Sequence, residues 1–186
     1  MSSKNDSPNL IWVDCEMTGL DLNKDVLVEI AVLVTDSELN ILGEGVDLVI
    51  KATAEQLSGM NEFVTNMHTE SGLIAEIPSG VEVSKAEAEI IAYLEKYAPG
   101  AGKSPLAGNS VGTDRSFIAR DMPLLNAYLH YRTIDVSSIK ELARRWYPRV
   151  YFAAPKKTGN HRALGDIRDS IEELEYYRKA IFIPNN

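Results

Sequence analysis

Three runs rich in β-branched residues crowd the first fifty positions, and they narrow the folds open to this chain more than anything else in it. Residues 10–16 read as a strand that starts apolar, 26–35 as a second and 41–50 as a third, with a polar hairpin-like loop at 36–40. Three successive strands with short connections predict an antiparallel meander opening a mixed sheet. After residue 83 the character turns helical. Ser84 and Glu87 have capping-box spacing, and the segment to about residue 98 has helical spacing through Ala88, Ile91, Ala92, Leu94 and Glu95 before Pro99 and Gly100 stop it. Short strands at 106–108 and 133–136 then alternate with helices. These helices are expected at 113–120, from a second capping box at Ser138 and Glu141 to about residue 146, and at 164–180. Strands first and helices interleaved with strands later give an α/β fold, with a five-stranded mixed sheet flanked by helices.

A length of 186 residues suits one domain, expected over 10–182 behind a disordered N-terminal tail at 1–9. That tail is polar and unlike a signal peptide, and no apolar run is long enough to span a bilayer. The expectation is a cytoplasmic protein with no membrane partner. The one cysteine, Cys15, excludes an internal disulfide framework and a cysteine-cluster zinc site. A net charge of −8 argues against gripping long duplex nucleic acid through many phosphates, but leaves room for a short one at a local site. The charge is uneven. From Arg132 to Arg162 there are eight Lys or Arg against two acids, Asp135 and Glu141, a local +6 that a solvated helix face and loop would also produce.

The chemistry-bearing residues are mostly acidic. In a strand Asp14 and Glu16 point to one face and Cys15 to the other. Two carboxylates so close repel each other, and a divalent cation would relieve that repulsion. A solvated strand end would look the same in isolation, and Cys15 reads as a small core residue. Asp114 follows a short strand and a glycine-containing loop, near the start of a helix, where N-capping is the simpler role. His161 and Asp166 are five residues apart, so on one helix they would lie about 140° apart around the axis. Asp166 is better placed on the first turn of the last helix, and His161 on the Pro- and Lys-containing loop before it, where a histidine often has no role. Together, four carboxylates and a histidine are equipment for two divalent cations and a general base in phosphoryl transfer. Carboxylate oxygens suit Mg²⁺ or Mn²⁺ better than Zn²⁺.

Asp14-x-Glu16-x-Thr18-Gly19-Leu20, the later Asp114 and His161-x4-Asp166 resemble the DEDDh 3′→5′ exonucleases, a superfamily with a ribonuclease-H-like core. Within it, residues 12–20, Gly102-Lys-Ser-Pro105, Gly108-Asn-Ser110, His130-Tyr-Arg132, Asp135-Val-Ser-Ser138 and residues 140–146 resemble the oligoribonucleases. The resemblance runs from Leu10 to Tyr177 and would make 10–182 a single exonuclease domain. It implies a homodimer that removes 5′-mononucleotides from RNA a few nucleotides long, preferring 5′-phosphorylated dinucleotides. Asp14, Glu16, Asp114 and Asp166 would hold two Mg²⁺ or Mn²⁺ ions, with His161 as general base. Leu20 would wedge between the two bases, and His68 would lie near them. Ser110, Arg132, Ser137 and Ser138 would cap the 5′ phosphate, with Tyr131 reaching in from the second subunit. Phe63 stands where the family pattern often has Trp, which keeps an apolar ring but weakens the expectation of a base contact. A guanidinium and serine hydroxyls suit a terminal phosphate, and a closed pocket around it would measure substrate length. The aromatic-rich stretch 128–152 is a candidate dimer surface, although ordinary packing would also explain it. Two other readings remain open: a DEDDh enzyme that proofreads DNA or trims structured RNA ends, and a non-catalytic nucleotide binder on the same fold.

Overall fold

The computed structural model describes residues 8–155 and 162–182. Strands β1 (Leu10–Met17), β2 (Leu27–Thr35) and β3 (Ile41–Val49) form the expected antiparallel meander. Short helices α1 (Ala54–Ser58), α2 (Glu62–Glu70) and α3 (Leu73–Glu76) follow, then α4 (Val83–Tyr97). The remainder alternates: β4 (Pro105–Gly108), α5 (Gly112–Asp121), α6 (Pro123–Tyr128), β5 (His130–Asp135), α7 (Val136–Trp146), α8 (Pro148–Phe152) and α9 (Ala163–Ile181). The sheet order is β3-β2-β1-β4-β5, with β4 parallel to both β1 and β5. This is the five-stranded mixed sheet of a ribonuclease-H-like core.

The alternation of β1 builds two hydrophobic layers. Ile11, Val13 and Cys15 pack with Ile30, Val32 and Val34 of β2 against α4, α5 and α6. Leu10 and Trp12 pack with Ala31 and Leu33 against α9, through Ile167, Ile171, Leu174 and Tyr177. β2 is buried along its whole length, as expected of a strand covered by helices on both faces. Trp12 is fully buried and its Nε1–H donates to Thr35 Oγ1 at 2.9 Å, which satisfies the one polar atom it brings into the core. At the end of β4, a Cβ on Gly108 would lie 2.9 Å from the Val13 carbonyl oxygen, so the absent side chain permits the close approach to β1.

Four expectations are corrected. Residues 51–83, in which no element was expected, hold three short helices and a single 3₁₀ turn at Ile77–Ser79. The Ser84–Glu87 capping box does not form, because α4 is capped at Glu82 and Ser84 is already inside the helix. Glu87 Oε1 instead accepts the Leu124 and Leu125 N–H groups, at 2.7 and 3.0 Å, and so caps the neighbouring α6. The buried stripe of α4 is Ala86, Glu87, Ile90 and Leu94, while Ala88, Ala92 and Glu95 face solvent. Finally, β5 ends at Asp135, which is itself the N-cap of α7; its carboxylate accepts the Ser137 N–H, and Ser138 lies within the helix.

Candidate active site

Asp14 and Glu16 share the β1 face that carries Trp12, while Cys15 joins the opposite core layer. Asp166 is in the first turn of α9, which crosses that same face. Ligand oxygens of Asp14, Glu16 and Asp166 all lie within 4.8 Å of one another. Asp114 is not part of this group of three. It reaches β1 from α5, where its Oδ1 accepts the Cys15 N–H at 2.9 Å, between the two acids. It therefore ties helix to strand rather than capping α5, whose N-cap is Val111 without a side-chain bond.

Electrostatics make the cluster costly without a cation. Burial, then Glu29, Asp166 and Asp114, push the Glu16 carboxyl up to about 8, with Arg162 opposing. Burial pushes Asp114 up to about 6 against the hydrogen bonds it accepts, with Asp135 adding to the rise. Burial and the adjacent Asp114 hold the Cys15 thiol well above its usual value, which fits an inert core residue. Glu29 pairs in register with Glu16 across β1 and β2 and is itself fully buried. Its charge is met by Arg162 at 2.8 Å and by the Ala163 N–H at 3.1 Å, at the start of α9. Arg162 also reaches both carboxylate oxygens of Glu76, at 3.0 and 3.1 Å. This Glu29–Arg162–Glu76 link seats the N-terminal turn that carries Asp166, and it joins residues too far apart in the chain to be paired from spacing. The donor set itself fits a hard divalent cation: several carboxylate oxygens, no available thiolate, and like charges that a cation would neutralise.

Beside the cluster is a cavity of about 420 Å³ lined by Glu16, Met17, Gly19, Leu20, Phe63 and Met67 among others. Leu20 and Phe63 are each 75% exposed at its edge, where they offer apolar surface to whatever enters the cavity. Asn61, Val64 and Met67 also line it and were missed. Asn61 accepting the Val64 N–H is a helix-start signal that could have exposed α2, and Phe63 and Met67 are one turn apart. His68, expected near the bases, is fully buried and does not line the cavity. Its Nε2–H donates to the Met17 carbonyl at 2.9 Å, and its Nδ1 stands 3.9 Å from Glu16 Oε2. It braces the strand end that carries Glu16.

Two of the serines expected to meet a 5′ phosphate share one anchor. Asp135 Oδ1 accepts the Ser110 N–H at 3.0 Å, the Ser137 N–H at 2.9 Å and the Ser137 hydroxyl at 2.6 Å. Ser110 takes a left-handed conformation, φ 54°, held by that bond and by its neighbour Asn109, whose Nδ2 donates to Ser170 and Glu173. Asp135, within the Asp135-Val-Ser-Ser138 motif, is thus the residue that organises both serines. Ser138 is exposed, as are Tyr131 and Arg132 on the edge strand, where the guanidinium carbon stands 5.3 Å from the Tyr131 ring centre. His161 lies outside the described residues.

Residues 11–174 match the exonuclease family model. Among solved structures, the zinc-bound form of E. coli exonuclease I in complex with single-stranded DNA has a TM-score of 0.71 at 15% identity, over 94% of this chain and 41% of that one. That likeness establishes the fold, and the chain spans about two fifths of exonuclease I. The class is therefore an exonuclease on a ribonuclease-H-like fold. Within that class, the oligoribonuclease of Streptomyces coelicolor is 62% identical over 175 residues, 94% of this chain and 88% of that protein. The oligoribonuclease of Cutibacterium acnes is 58% identical over 176 residues, covering 95% and 87%. The chain belongs to the oligoribonuclease family and is, with it, a metal-dependent hydrolase.

Proposed function

We propose that the protein is a 3′→5′ exoribonuclease that hydrolyses very short RNAs, 5′-phosphorylated dinucleotides above all, to 5′-mononucleotides. The observation that carries this reading is the meeting of two features at Glu16, which belongs both to the three-carboxylate cluster and to the cavity edged by Leu20 and Phe63. A scissile phosphate at the cluster would put its flanking bases against those side chains.

Asp14, Glu16, Asp114 and Asp166 would hold two divalent cations, Mg²⁺ or Mn²⁺. Bound there, the ions would stabilise charge on the scissile phosphate and lower the pKa of the attacking water. His161 would accept the proton from that water, since an imidazole with the ordinary free value near 6.5 is about three-quarters neutral at pH 7 and can take up a proton. Leu20 would separate the two bases, Phe63 would offer a ring face, and His68 would act from behind by holding the Met17 carbonyl next to Glu16. Ser110, Arg132, Ser137 and Ser138 would enclose the 5′ phosphate, with Tyr131 supplied by a second subunit. Asp135 sets the positions of Ser110 and Ser137 but also brings a negative charge to that pocket, so Arg132 becomes the group that makes an anion acceptable there.

A homodimer fits the same reading. Ile139, Leu142, Trp146, Tyr147 and Phe182 line an apolar groove of about 210 Å³, and Trp146 and Phe152 are strongly exposed. Exposed aromatic surface of this kind is typical of an interface. Among the described residues no helix is long and apolar enough to cross a membrane, and a cytoplasmic location accompanies the proposal. The test is product analysis. A 5′-phosphorylated dinucleotide incubated with the protein and Mg²⁺ or Mn²⁺ should yield only 5′-mononucleotides, and a chelator or Asp14→Asn should stop the reaction. Appearance of 3′-phosphates, or turnover that survives chelation, would reject the proposal.

A further inference from the structure

The side chain proposed to part the two bases sits on a loop, and a loop leucine exposed to water is useful as a wedge only if its backbone is fixed in advance. The residues between β1 and β2 are fixed to an unusual degree. Asp25, near the end of this loop, is buried. Its Oδ1 accepts the Thr18 hydroxyl at 3.1 Å and its Oδ2 accepts the Asp21 N–H at 2.8 Å, so the carboxylate holds the chain on both sides of Leu20. Gly19 lies directly against it: an added Cβ would fall 2.4 Å from Asp25 Oδ2, which leaves no room for a side chain there. The base of the loop is closed by Thr18, whose N–H donates to the Val26 carbonyl at 3.0 Å and whose Oγ1 accepts the Val26 N–H at 3.1 Å.

The outside of the loop is clamped as well. Arg120, in the last turn of α5, donates from Nη1 to the Leu22 carbonyl and from Nη2 to the Asp25 carbonyl at 2.8 Å. Its planar head is aimed by Asp121, which accepts from Nε and Nη2 at 2.7 Å each, and it stands 4.9 Å from the Phe117 ring centre. Asp114 grips the Cys15 N–H six residues earlier on the same helix, about 9 Å along its axis. Helix α5 is thus bonded to the 15–25 segment at both of its ends, once beside the carboxylate cluster and once beyond Leu20.

We infer that Asp25 and Arg120 are positioning residues for Leu20: they fix its distance from the carboxylate cluster before substrate arrives, and so help select a two-base substrate. Neither touches the reacting atoms. The inference rests on the reading of Leu20 as the residue that parts the bases, and a rigid wedge matters because ordering a loop during binding would weaken affinity.

The test compares a 5′-phosphorylated dinucleotide with the same molecule lacking its 5′ base, using wild type, Leu20→Ala, Asp25→Asn and Arg120→Ala. A molecule with one base cannot be parted by a wedge. For the intact dinucleotide, Asp25→Asn and Arg120→Ala should raise KM about ten-fold with kcat held within about two-fold, an effect on positioning rather than chemistry. For the abasic molecule both variants should match wild type within about two-fold. Arg120 is at the surface, so its alanine variant remains informative if Asp25→Asn fails to fold. If Leu20→Ala discriminates between the two substrates while the other two variants behave as wild type, the inference is wrong and the wedge stands. If Leu20→Ala treats both substrates alike, the wedge reading itself fails. Equal losses on both substrates in Asp25→Asn and Arg120→Ala would also overturn the inference, because they would show a general role in the fold.

Discussion

Glu16→Gln should stabilise the metal-free protein, and the gain should depend on pH in a defined way. The Glu16 carboxyl is pushed from 4.5 up to about 8, first by burial and then by Glu29, Asp166 and Asp114. For a carboxyl whose folded pKa is raised, folding is unpenalised below the unfolded value and loses stability as pH climbs through the folded one. The window is therefore from about 4.5 to about 8, the two values that bound the shift. At pH 7 the loss integrates to about 3 kcal/mol, and it approaches 5 kcal/mol above pH 8, as an order of magnitude. The side chain is only 12% exposed, so solvent screening takes little from this figure. Glutamine keeps the shape and removes the ionisation. The assay is urea unfolding in excess chelator at pH 5, 7 and 8.5, for wild type and Glu16→Gln. The variant should be nearly equal to wild type at pH 5 and more stable by a few kcal/mol at pH 8.5. Adding Mn²⁺ should raise wild-type stability and narrow the difference. A variant that is equally or less stable than wild type at pH 8.5 in chelator would refute the claim that the acidic cluster is strained until a cation fills it.

Arg162→Ala should destabilise the protein by about 3 kcal/mol in denaturant unfolding, because it leaves the fully buried Glu29 without its cation; a change under about 0.5 kcal/mol would mean that Glu29 does not depend on the Arg162 charge. Glu87→Ala should cost about 1–2 kcal/mol by uncapping α6, with no change in catalysis. His161→Ala should lower kcat strongly with a smaller effect on KM, and equal turnover of variant and wild type from about pH 6 to 9 would exclude a general-base role.

Much of the face that carries the carboxylate cluster was readable because a strand alternates strictly. Asp14 and Glu16 together and Cys15 opposite follow from period two, whatever the strand pairs with. Asp166 in a first turn followed from the impossibility of sharing a helix face with His161. The segment 51–83 was opaque because its helices span only four to nine residues, too short to display a repeating apolar stripe. Glu87 and Ser138 misled because capping-box spacing is satisfied by chance inside helices; only the three-dimensional neighbour reveals that Glu87 caps α6, whereas the cap of α7 is the local Asp135, two residues before Ser137. Glu29 was invisible for a related reason. Its partner Glu16 is named by strand register, and its counter-charge Arg162 lies 133 residues away.

The most direct measurement of the central claim is turnover against length. Wild type and Arg132→Ala would be compared on 5′-phosphorylated RNAs of about two to seven nucleotides with Mg²⁺ or Mn²⁺. The account expects wild type to favour the dinucleotide clearly. It expects Arg132→Ala to lose about 10- to 150-fold on that substrate and much less on the longer ones, the range for one charge-assisted pair of about 1.5–3 kcal/mol. A wild-type enzyme that degrades the longest RNA as fast as the dinucleotide, or an Arg132→Ala loss that is uniform across lengths, would contradict the phosphate cap and leave a general exonuclease in its place.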